Sequence, residues 1–587
     1  MAFTLGKMPE SGKKMSIELN FMFGGEAGQG LQSVGFILAK AFARGGYHVF
    51  ADQDYESRIR GGHSFFRVRA SDVPVSAVLE TLDFLVALNR ETIDLHLGEL
   101  GPDGVVIFDG DQIKNAAGGK LFAVPLGKLA ENAGGKVMAN TVALGAALGL
   151  MGYDREILNQ ILRETFAGSV GESNAKAAAA GYDYAKQNFK GKIPQGKGNL
   201  KPVSDVKRML LNGTDAVALG AIAAGCKFLA GYPMTPTTPI IEYMASKAKE
   251  FGLVVVQPED EISAINMAVG AAYTGVRAMT ATSGSGFCLM VEGICLAGIT
   301  ETPVVVVLGQ RPGPAVGLPT RTAQEELEFA IHAGSGEFPR AVLAPTTIED
   351  SFWLTVKAFN LAEKYQTPVI LLTDHHLATC YATVPPFDLS KVSIDRGSLF
   401  PDQTGAKPEE YKRHRVTESG ISPRAFPGQS PALVVTDSDE HDEAGHLIED
   451  AATRSAQVEK RQRKMVGLKK EIAPPLRYGT EKADITLIGW GSTRGAIEEA
   501  VDILHKDGVS VNAMHLADVW PFPAEAVASA LAGTGKMYVI ENNFTGQLSH
   551  LIRAETGRKV DGRILKYDGR PFTPAYIAGK VRKGVEY

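Results

Sequence analysis

The chain has 587 residues, of which 44% are hydrophobic and 22% are charged, as in ordinary soluble globular proteins. At ~150 residues per domain, this length predicts three or four domains. A formal net charge of −5 argues against nucleic-acid binding, and neither a signal-peptide pattern nor an apolar run of the ~18–20 residues that span a bilayer is present. We therefore expect a cytoplasmic α/β protein that binds neither nucleic acid nor membrane.

A first unit is predicted over residues 15–190. It opens with an apolar run at 17–23, a glycine run GGEAGQG at 24–30 and a helical pattern of apolar residues. Strand, glycine turn and helix begin a βαβ unit. Further strand-like runs at 84–89 and 105–109 predict a doubly wound sheet.

Two motifs of this unit each have two interpretations. The glycine run lacks GxGxxG spacing, but Gly28 and Gly30 could present N–H groups to a phosphate at a helix start; a tight turn explains them equally well. The segment RIRGGHSFFRVR (58–69) holds four arginines, Arg60 among them, and His63. It could bind phosphate or coenzyme A, or form ion pairs at an interface.

A polar linker, residues 191–204, precedes a second unit at 205–377. Apolar runs alternate there with helical stretches, which predicts a parallel sheet covered by helices on both faces. The runs lie at 253–256, 304–308, 341–344 and 369–372.

The strongest site signal lies inside the second unit. GYPMTPTTP (231–239) holds three prolines and three threonines in nine residues, so a stiff loop should present hydroxyl groups at fixed positions. QPEDEISA (257–264) then brings Glu259, Asp260 and Glu261 to the start of a helix. The two segments together predict a site.

Two further loops of this unit have functional interpretations. TSGSGF (282–287) would bring backbone close to a ligand or to another chain. RPGPAVGLPTRTAQEEL (311–327) is stiffened by proline and glycine and carries Arg321 before a helix. A rigidly held arginine suits capture of a carboxylate.

Residues 378–478 show a weaker pattern and are predicted to be an irregular connection. Their charged helix at 449–470 is interpreted as solvated surface or an interface arm. A last α/β unit is predicted over 479–587. Its elements are a strand at 485–488, a helix at 494–505 and a strand at 537–541.

We expect no metal in this chain. Its four cysteines lack CxxC spacing and cannot make a four-thiolate iron–sulfur site. The GDG…N element that holds Mg²⁺-diphosphate in thiamine enzymes is missing, because DGDQIKN (109–115) has the wrong order. The histidine-bearing segment 437–450 is typical of an acidic surface loop.

Together these motifs resemble 2-oxoacid:ferredoxin oxidoreductases over nearly the whole chain. Residues 231–239 resemble the YPITPS-type motif, 259–287 the pyrimidine-domain signature, and 317–327 the substrate loop. The first unit resembles the γ subunit fused ahead of an α subunit, as in 2-oxoglutarate:ferredoxin oxidoreductases. The implied fold is α/β with several doubly wound sheets: a γ-type domain, a thiamine-enzyme pyrimidine-type domain at 205–377, and a transketolase C-terminal-like domain at 479–587.

The resemblance implies residue roles. Glu261 matches the glutamate that hydrogen-bonds the pyrimidine nitrogen of thiamine diphosphate, a catalytic role. Thr235 matches a threonine that bonds the 2-oxoacid, and Arg321 would pair with the substrate carboxylate. The remaining implied residues are Tyr232 and Pro236 for substrate, and Ser283, Gly284 and Gly286 for cofactor.

The resemblance also implies partners. Thiamine diphosphate would be shared with a separate β subunit that holds Mg²⁺ and a [4Fe–4S] cluster, in an (αβ)₂ heterotetramer. The reaction would be oxidative decarboxylation of a 2-oxoacid, or its reductive reverse. Ferredoxin would take the electrons, and coenzyme A would be the acyl-accepting substrate.

Several alternatives stay open. The fused order favours 2-oxoglutarate over pyruvate, branched-chain or aryl 2-oxoacids, with Arg311, Arg340 or His332 as candidates for its distal carboxylate. A non-catalytic binding module would have lost the motif glutamate, threonine or arginine, and all three are present. An NAD(P) dehydrogenase using Asp52 or Asp54 is disfavoured by the glycine spacing.

Overall fold

Three β-sheets with flanking helices make up the parts of the chain that this computed structural model describes, residues 17–57, 61–114, 120–400, 411–428 and 432–584. The predicted α/β class with several sheets is confirmed. Within these ranges no helix has both the length and the apolar character needed to cross a membrane.

The first sheet is mixed and has eight strands. They are β1 (Glu18–Ala27), β2 (His48–Asp54), β3 (Gly61–Ser71), β4 (Leu82–Ala87), β5 (Leu100–Asp109), β6 (Lys120–Val124), β7 (Met209–Asn212) and β14 (Tyr381–Val384). Their order is β6-β5-β4-β1-β3-β2-β14-β7, with β1 parallel to β4 and antiparallel to β3. β7 belongs to the second predicted unit, and β14 to the segment 378–478 that was predicted to be an irregular connection, so three predicted segments share this sheet.

The glycine run that follows the first apolar segment is only partly a turn. Gly24 and Gly25 belong to β1, and the turn itself comprises residues 28–30. A Cβ on Gly24 would lie 2.3 Å from the Thr92 methyl group, so these glycines allow close packing. The prediction of a turn over the whole run is wrong for its first half.

The second sheet has seven strands. They are β8 (Phe228–Ala230), β9 (Val254–Val256), β10 (Ala278–Ser283), β11 (Val304–Gln310), β12 (Ala341–Leu343), β13 (Pro368–Asp374) and β18 (Asp518–Trp520). The order is β18-β12-β13-β11-β10-β8-β9. The paired strands from β8 to β13 run parallel, and β18, from the last unit, joins β12 antiparallel.

The third sheet belongs to the last unit. Its strands are β15 (Leu476–Gly479), β16 (Ile485–Trp490), β17 (Val511–Leu516), β19 (Lys536–Glu541) and β20 (Gly562–Leu565). In the order β15-β17-β16-β19-β20, the edge strand β15 is antiparallel and the others are parallel.

Helices cover both faces of the second sheet. In chain order the helices are α1 (Leu31–Arg44), α2 (Arg90–His96), α3 (Leu126–Ala133), α4 (Ala139–Met151), α5 (Arg155–Thr165), α6 (Ser169–Asn188), α7 (Gly213–Ala223), α8 (Thr238–Phe251), α9 (Glu261–Tyr273), α10 (Gly284–Ile299), α11 (Leu327–His332), α12 (Ile348–Tyr365), α13 (His375–Thr379), α14 (Ala451–Glu471), α15 (Arg494–Lys506), α16 (Ala524–Ala530), α17 (Gln547–Thr556) and α18 (Pro574–Lys583). Val306 of β11 packs with α9, α10 and Trp490 of the third sheet. Val305 points to the other face, into the core formed with α7 and α12, as strand alternation requires.

The prediction that the charged helix α14 is solvated is wrong for one of its faces. Lys460 and Lys464 are 0% and 1% exposed, and both pair with Glu301, which follows the end of α10 and is itself fully buried. His414 Nδ1 lies 3.0 Å from the same carboxylate. Lysines are almost never fully buried unless they are paired. Here one carboxylate, that of Glu301, which is distant in the sequence, pairs with both lysines.

Candidate active site at the carboxyl ends of the second sheet

The predicted site segments meet at the carboxyl edge of the second sheet. Thr235 follows β8, Glu261 begins α9 after β9, Ser283 ends β10, and Arg311 follows β11. Parallel strands deliver their carboxyl ends to one edge, where open α/β sheets bind ligands. The structure therefore brings four of the motifs together.

The loop after β8 is held by its own backbone, as its composition predicted. The Thr237 N–H and hydroxyl both donate to the Met234 carbonyl, at 2.9 and 3.0 Å. Gly309 permits the close approach of Pro236, because a Cβ there would lie 2.9 Å from the proline ring. Arg311 Nη1 donates to the Thr235 carbonyl at 2.9 Å.

Within this loop the Thr235 side chain has a hydroxyl available to a ligand. The Thr237 hydroxyl is used inside the loop, whereas the Thr235 hydroxyl has no hydrogen bond to the described residues. Thr235 is partly exposed, and Tyr232 is 37% exposed.

The three consecutive carboxylates have three different environments. Asp260 caps α9 by accepting from the Ser263 N–H at 2.8 Å, a common N-cap arrangement. Glu259 is exposed and accepts from the Ser263 hydroxyl. Glu261 is 3% exposed, so among the three it is the carboxyl group turned into the protein.

Glu261 has an unmet hydrogen-bonding capacity. Its Oε1 is buried without a hydrogen-bond partner in the described chain. Burial raises its pKa, although a hydrogen bond from Thr282 acts in the opposite direction. A raised pKa favours the neutral acid, which can donate a hydrogen bond.

The start of α10 leaves space beside this carboxyl group. A Cβ on Gly286 would lie 2.5 Å from Glu261 Oε1 and 2.0 Å from Thr282 Oγ1. The Ser283 hydroxyl is also buried without a partner among the described residues. A buried, protonatable carboxyl group beside unpaired polar atoms fits the ring nitrogen of an aminopyrimidine, so Glu261 would hold that edge of thiamine diphosphate.

A second carboxyl group at the start of α10 was not identified from the sequence. A Cβ on Gly284 would lie 2.4 Å from Glu326 Oε1, and Glu326 Oε2 is buried without a partner in the described ranges. Burial, reinforced by Glu325, raises the pKa of Glu326 to about 8 despite nearby Arg311. Its position in the charged run QEEL gave no signal of burial.

Glu326 predicts a pH-dependent stability. Its carboxyl group keeps its proton to about pH 8 when folded but loses it near 4.5, the ordinary value, when unfolded. Its stabilising contribution is therefore complete below about pH 4.5 and is lost as the pH rises to about 8. We expect the melting temperature of Glu326→Gln to rise relative to wild type between pH 5 and 8. The exposed Glu337→Gln control should stay parallel to wild type; a parallel Glu326→Gln curve would contradict the assignment.

Arg321 lies in a different neighbourhood from Thr235 and Glu261. Its guanidinium pairs with Asp54 at 2.8 Å and donates to the Tyr55 carbonyl at 2.8 Å, both in the first unit. It lines a cavity of about 530 Å³ between the first and last units, and neither Thr235 nor Glu261 lines that cavity. The role of Arg321 toward a substrate therefore stays a prediction.

Of the three candidates for a distal carboxylate, the structure brings Arg311 to the site. Arg340 is buried and donates to the Ala333 carbonyl. His332 is exposed, and its ring lies 6.4 Å from that of Trp520.

The weaker candidates of the first unit lie at one end of β1 and β3. His63 is paired in register with Glu26, two residues before Gly28, and its Nε2 lies 2.8 Å from His96 Nε2 in the cavity. Gly30 precedes α1 in the left-handed region, at φ 71°. Arg60 lies outside the described residues.

His375 is a further residue that sequence reasoning missed. It begins α13 after β13, is 4% exposed, and its Nε2 has no partner in the described structure. Burial, His376, Arg321 and Arg311 lower its pKa to about 3, so the imidazole is neutral. Both arginines therefore lie within electrostatic range of His375.

In the part of the chain described, no group of three or more histidine, cysteine and carboxylate side chains is arranged to hold a metal ion. Asp52 is paired with Arg67 at 2.5 Å, and Asp54 with Arg321 at 2.8 Å. The two acids that a dehydrogenase would need for a ribose are thus engaged elsewhere.

Three protein-family models match the chain. Residues 20–184 match "Pyruvate ferredoxin/flavodoxin oxidoreductase". Residues 219–460 match "Pyruvate flavodoxin/ferredoxin oxidoreductase, thiamine diP-bdg", and 483–577 match "Pyruvate:ferredoxin oxidoreductase core domain II".

Relatives that align with nearly the whole chain are also named as oxidoreductases that act on 2-oxoacids. The chain is 34% identical to a 2-oxoacid:ferredoxin oxidoreductase subunit alpha of Sulfolobus sp, over 95% of both chains. It is 32% identical to the 2-oxoglutarate oxidoreductase subunit KorA of Mycobacterium tuberculosis, over 95% of this chain and 91% of the other. A solved 2-oxoglutarate:ferredoxin oxidoreductase from Magnetococcus marinus, with 2-oxoglutarate, coenzyme A and succinyl-CoA bound, has a TM-score of 0.89 and 34% identity, covering 96% of this chain and 99% of that one.

Proposed function

This chain belongs to the 2-oxoacid:ferredoxin oxidoreductase family, and we propose that it is the fused γ–α subunit of a coenzyme A-acylating member acting on 2-oxoglutarate. The observation that carries the proposal is the buried Glu261 carboxyl group beside the Thr235 loop, whose Oε1 has no hydrogen-bond partner among the described residues. A structural glutamate would have its oxygens satisfied. A glutamate that serves a cofactor would keep one oxygen available for it.

The chain's own residues would perform three tasks. Glu261 would present a buried carboxyl oxygen to a ring nitrogen, and burial, which raises its pKa, favours sharing a proton with that nitrogen. Thr235 offers its hydroxyl to the substrate from a loop that Arg311 fixes through the backbone. Arg321 offers a guanidinium to the substrate carboxylate. Thiamine diphosphate, when bound, supplies the electron sink that lets a 2-oxoacid lose carbon dioxide.

A separate β subunit completes this proposal. It would hold Mg²⁺, the diphosphate and a [4Fe–4S] cluster, for which this sequence has no GDG…N element and no clustered cysteines. The assembly would be an (αβ)₂ heterotetramer that passes electrons to ferredoxin and the acyl group to coenzyme A. In this arrangement the γ-type unit, the pyrimidine-type unit and the transketolase C-terminal-like unit keep the predicted order at 15–190, 205–377 and 479–587.

The proposed substrate is supported by relatives and by one residue. Names of similar proteins include 2-oxoglutarate as well as unspecified 2-oxoacids. Arg311, which follows β11 and is 7% exposed, places a cation beside Thr235. A dicarboxylate needs a second cationic or hydroxyl group, whereas pyruvate does not.

The test is co-expression with the β subunit and measurement of coenzyme A-dependent viologen reduction. We expect kcat/KM for 2-oxoglutarate to exceed the values for pyruvate and 2-oxoisovalerate at least tenfold, or by about 1.4 kcal/mol. If kcat/KM is higher with pyruvate or 2-oxoisovalerate than with 2-oxoglutarate, the compound with the highest value is the substrate and the 2-oxoglutarate assignment is wrong. Absence of activity with all three would refute the proposed function.

A further inference from the structure

Glu326 and Arg311 are neighbours at the carboxyl edge of the second sheet, but they do not pair. Arg311 follows Gln310, the last residue of β11, and the Glu326 N–H donates to Gln310 Oε1 at 3.1 Å. Each of the two side chains acts on the pKa of the other. Nevertheless, no ion pair or hydrogen bond joins them in the part of the chain that the structure describes.

Arg311 is a buried cation with unused donors. Its side chain is 7% exposed, and its Nη1 donates to the Thr235 carbonyl at 2.9 Å. Nε and Nη2 make no hydrogen bond or ion pair with the described residues. These two nitrogens form the edge that binds a carboxylate through two parallel hydrogen bonds. Since a buried charge is costly unless it is paired, this position favours a ligand that brings a negative charge.

The Glu326 carboxyl group does not supply that charge at neutral pH. Its Oε2 is buried without a hydrogen-bond partner among the described residues. An ionised oxygen there would lose its hydration and gain no hydrogen bond in return. The neighbouring Glu325 carboxylate opposes ionisation further, in agreement with the Glu326 pKa of about 8. Glu326 is therefore a neutral acid at pH 7.

The Glu326 carboxyl group lies at the same helix start as Glu261. A Cβ on Gly284 would lie 2.4 Å from Glu326 Oε1, and a Cβ on Gly286 would lie 2.5 Å from Glu261 Oε1. Both glycines belong to the first turn of α10. These contacts place the Glu326 carboxyl group at the candidate active site.

We propose that Glu326 is a positioning residue whose protonation controls substrate binding. As a neutral acid it leaves the Arg311 guanidinium to a carboxylate of the 2-oxoacid, and as a carboxylate it takes that guanidinium for itself. This inference rests on the proposed function. It assigns Glu326 to the binding of the substrate and leaves the chemical step to other groups.

Other titratable groups around Glu326 must be separated from it. Besides Glu325 and Arg311, they are Cys288 on α10 and Glu261 across the first turn of that helix. Burial and Glu326 raise the pKa of the Cys288 thiol from its ordinary value of 9.0, so the thiol stays mostly protonated up to pH 9. Burial also raises the pKa of Glu261, so a variant must remove the titration of Glu326 alone.

The experiment measures KM for 2-oxoglutarate between pH 7 and 9, using the complete complex with its β subunit. With a pKa of about 8, about a tenth of Glu326 is ionised at pH 7 and about nine tenths at pH 9. Because only the neutral form leaves Arg311 open, we expect the wild-type KM to rise about tenfold. In Glu326→Gln, KM should change less than about twofold over this range, and kcat at each pH should stay within about twofold of wild type.

Two further variants have different expected profiles. Glu328→Gln is the matched control, because the Glu328 side chain is 42% exposed and faces His550 at 3.3 Å; it should keep the wild-type profile. Glu325→Gln keeps an acceptor for the Gly313 N–H, which Glu325 Oε2 binds at 2.8 Å, but removes the charge that opposes ionisation of Glu326. Its rise in KM should therefore begin at a lower pH than in wild type.

Binding of glutarate gives a measurement that needs no turnover. Glutarate has two carboxylates and no ketone that could react. In calorimetry with the same complex, its Kd should rise about tenfold between pH 7 and 9 for wild type. For Glu326→Gln the Kd should change less than about twofold.

The outcomes separate this proposal from the proposed function. A wild-type KM that is constant between pH 7 and 9, or a rise that persists in Glu326→Gln, would overturn the role of Glu326; the persistent rise would assign the titration to another group. A loss of kcat above about tenfold in Glu326→Gln would also overturn it, by placing Glu326 in the chemical step. Inactivity of the wild-type complex toward every 2-oxoacid would refute the function, whereas glutarate binding that is absent at pH 7 or independent of pH would refute the role of Glu326.

Discussion

Replacing Glu261 by glutamine is expected to lower coenzyme A-dependent viologen reduction by about 100- to 10,000-fold, the range for a group that holds or moves a proton in the reaction. Glutamine keeps the size of the side chain and loses the exchangeable acidic proton. The measurement is kcat with saturating 2-oxoacid in the assembled complex. Thermal unfolding of the same preparation checks that the fold is retained.

Glu259→Gln is the matched control for this change. Glu259 stands two positions earlier but is exposed and bonded to Ser263, so kcat should stay within about twofold of wild type. Full activity of Glu261→Gln would remove Glu261 from the proposed role. Equal losses in both variants would show that general disturbance of the helix start, rather than the buried proton, is responsible.

Replacing Glu301 by glutamine is expected to cost about 3–5 kcal/mol of stability, since breaking a buried ion pair leaves uncompensated charge. Burial alone raises the pKa of Glu301, but Lys460 and Lys464 outweigh it and hold the pKa well below its usual value. The carboxylate is thus ionised at neutral pH. Without it, two fully buried lysines face an amide, which we expect to shift the urea unfolding midpoint downward.

Two further variants separate lost charge pairing from lost packing. Glu292→Gln changes an exposed glutamate of α10, the helix that precedes Glu301, and should leave the midpoint within the error of measurement. Adding Lys460→Met to Glu301→Gln removes one unpaired ammonium group and should recover part of the loss. If this double variant unfolds at lower urea than Glu301→Gln alone, the lost stability does not come from unpaired charge.

Local patterns in the sequence predicted the elements that form the site. The valine-rich run of β11 and the prolines of residues 231–239 determine the backbone conformation locally. A short segment of sequence is therefore enough to predict a strand and a stiff loop there. The resemblance also selected Glu261 from three adjacent acids. The structure agrees with different roles for these acids, because Glu261 is buried whereas Asp260 forms the N-cap bond of α9.

Partners distant in sequence could not be predicted in the same way. Asp54 meets Arg321 only because the first and second units pack together. Glu301 meets Lys460 only because α14 packs beside the end of α10. The charge pattern along α14 indicated a solvent-exposed helix. A single sequence does not show that one distant carboxylate, Glu301, compensates the charges of two buried lysines. The burial of Glu326 and His375 likewise depends on the tertiary packing around α10 and β13.

The completion of the first sheet by β14 and β7 has a consequence for biosynthesis. Ala51 of β2 pairs with Tyr381 of β14, and Phe50 lies in the hydrophobic core of the second unit. A ribosome therefore releases β2 long before the strand that covers its edge has been made. Unpaired edges invite association with other chains, so the nascent protein passes through a stage in which this edge is open to such association. A polypeptide cut at residues 191–204 would keep that edge uncovered.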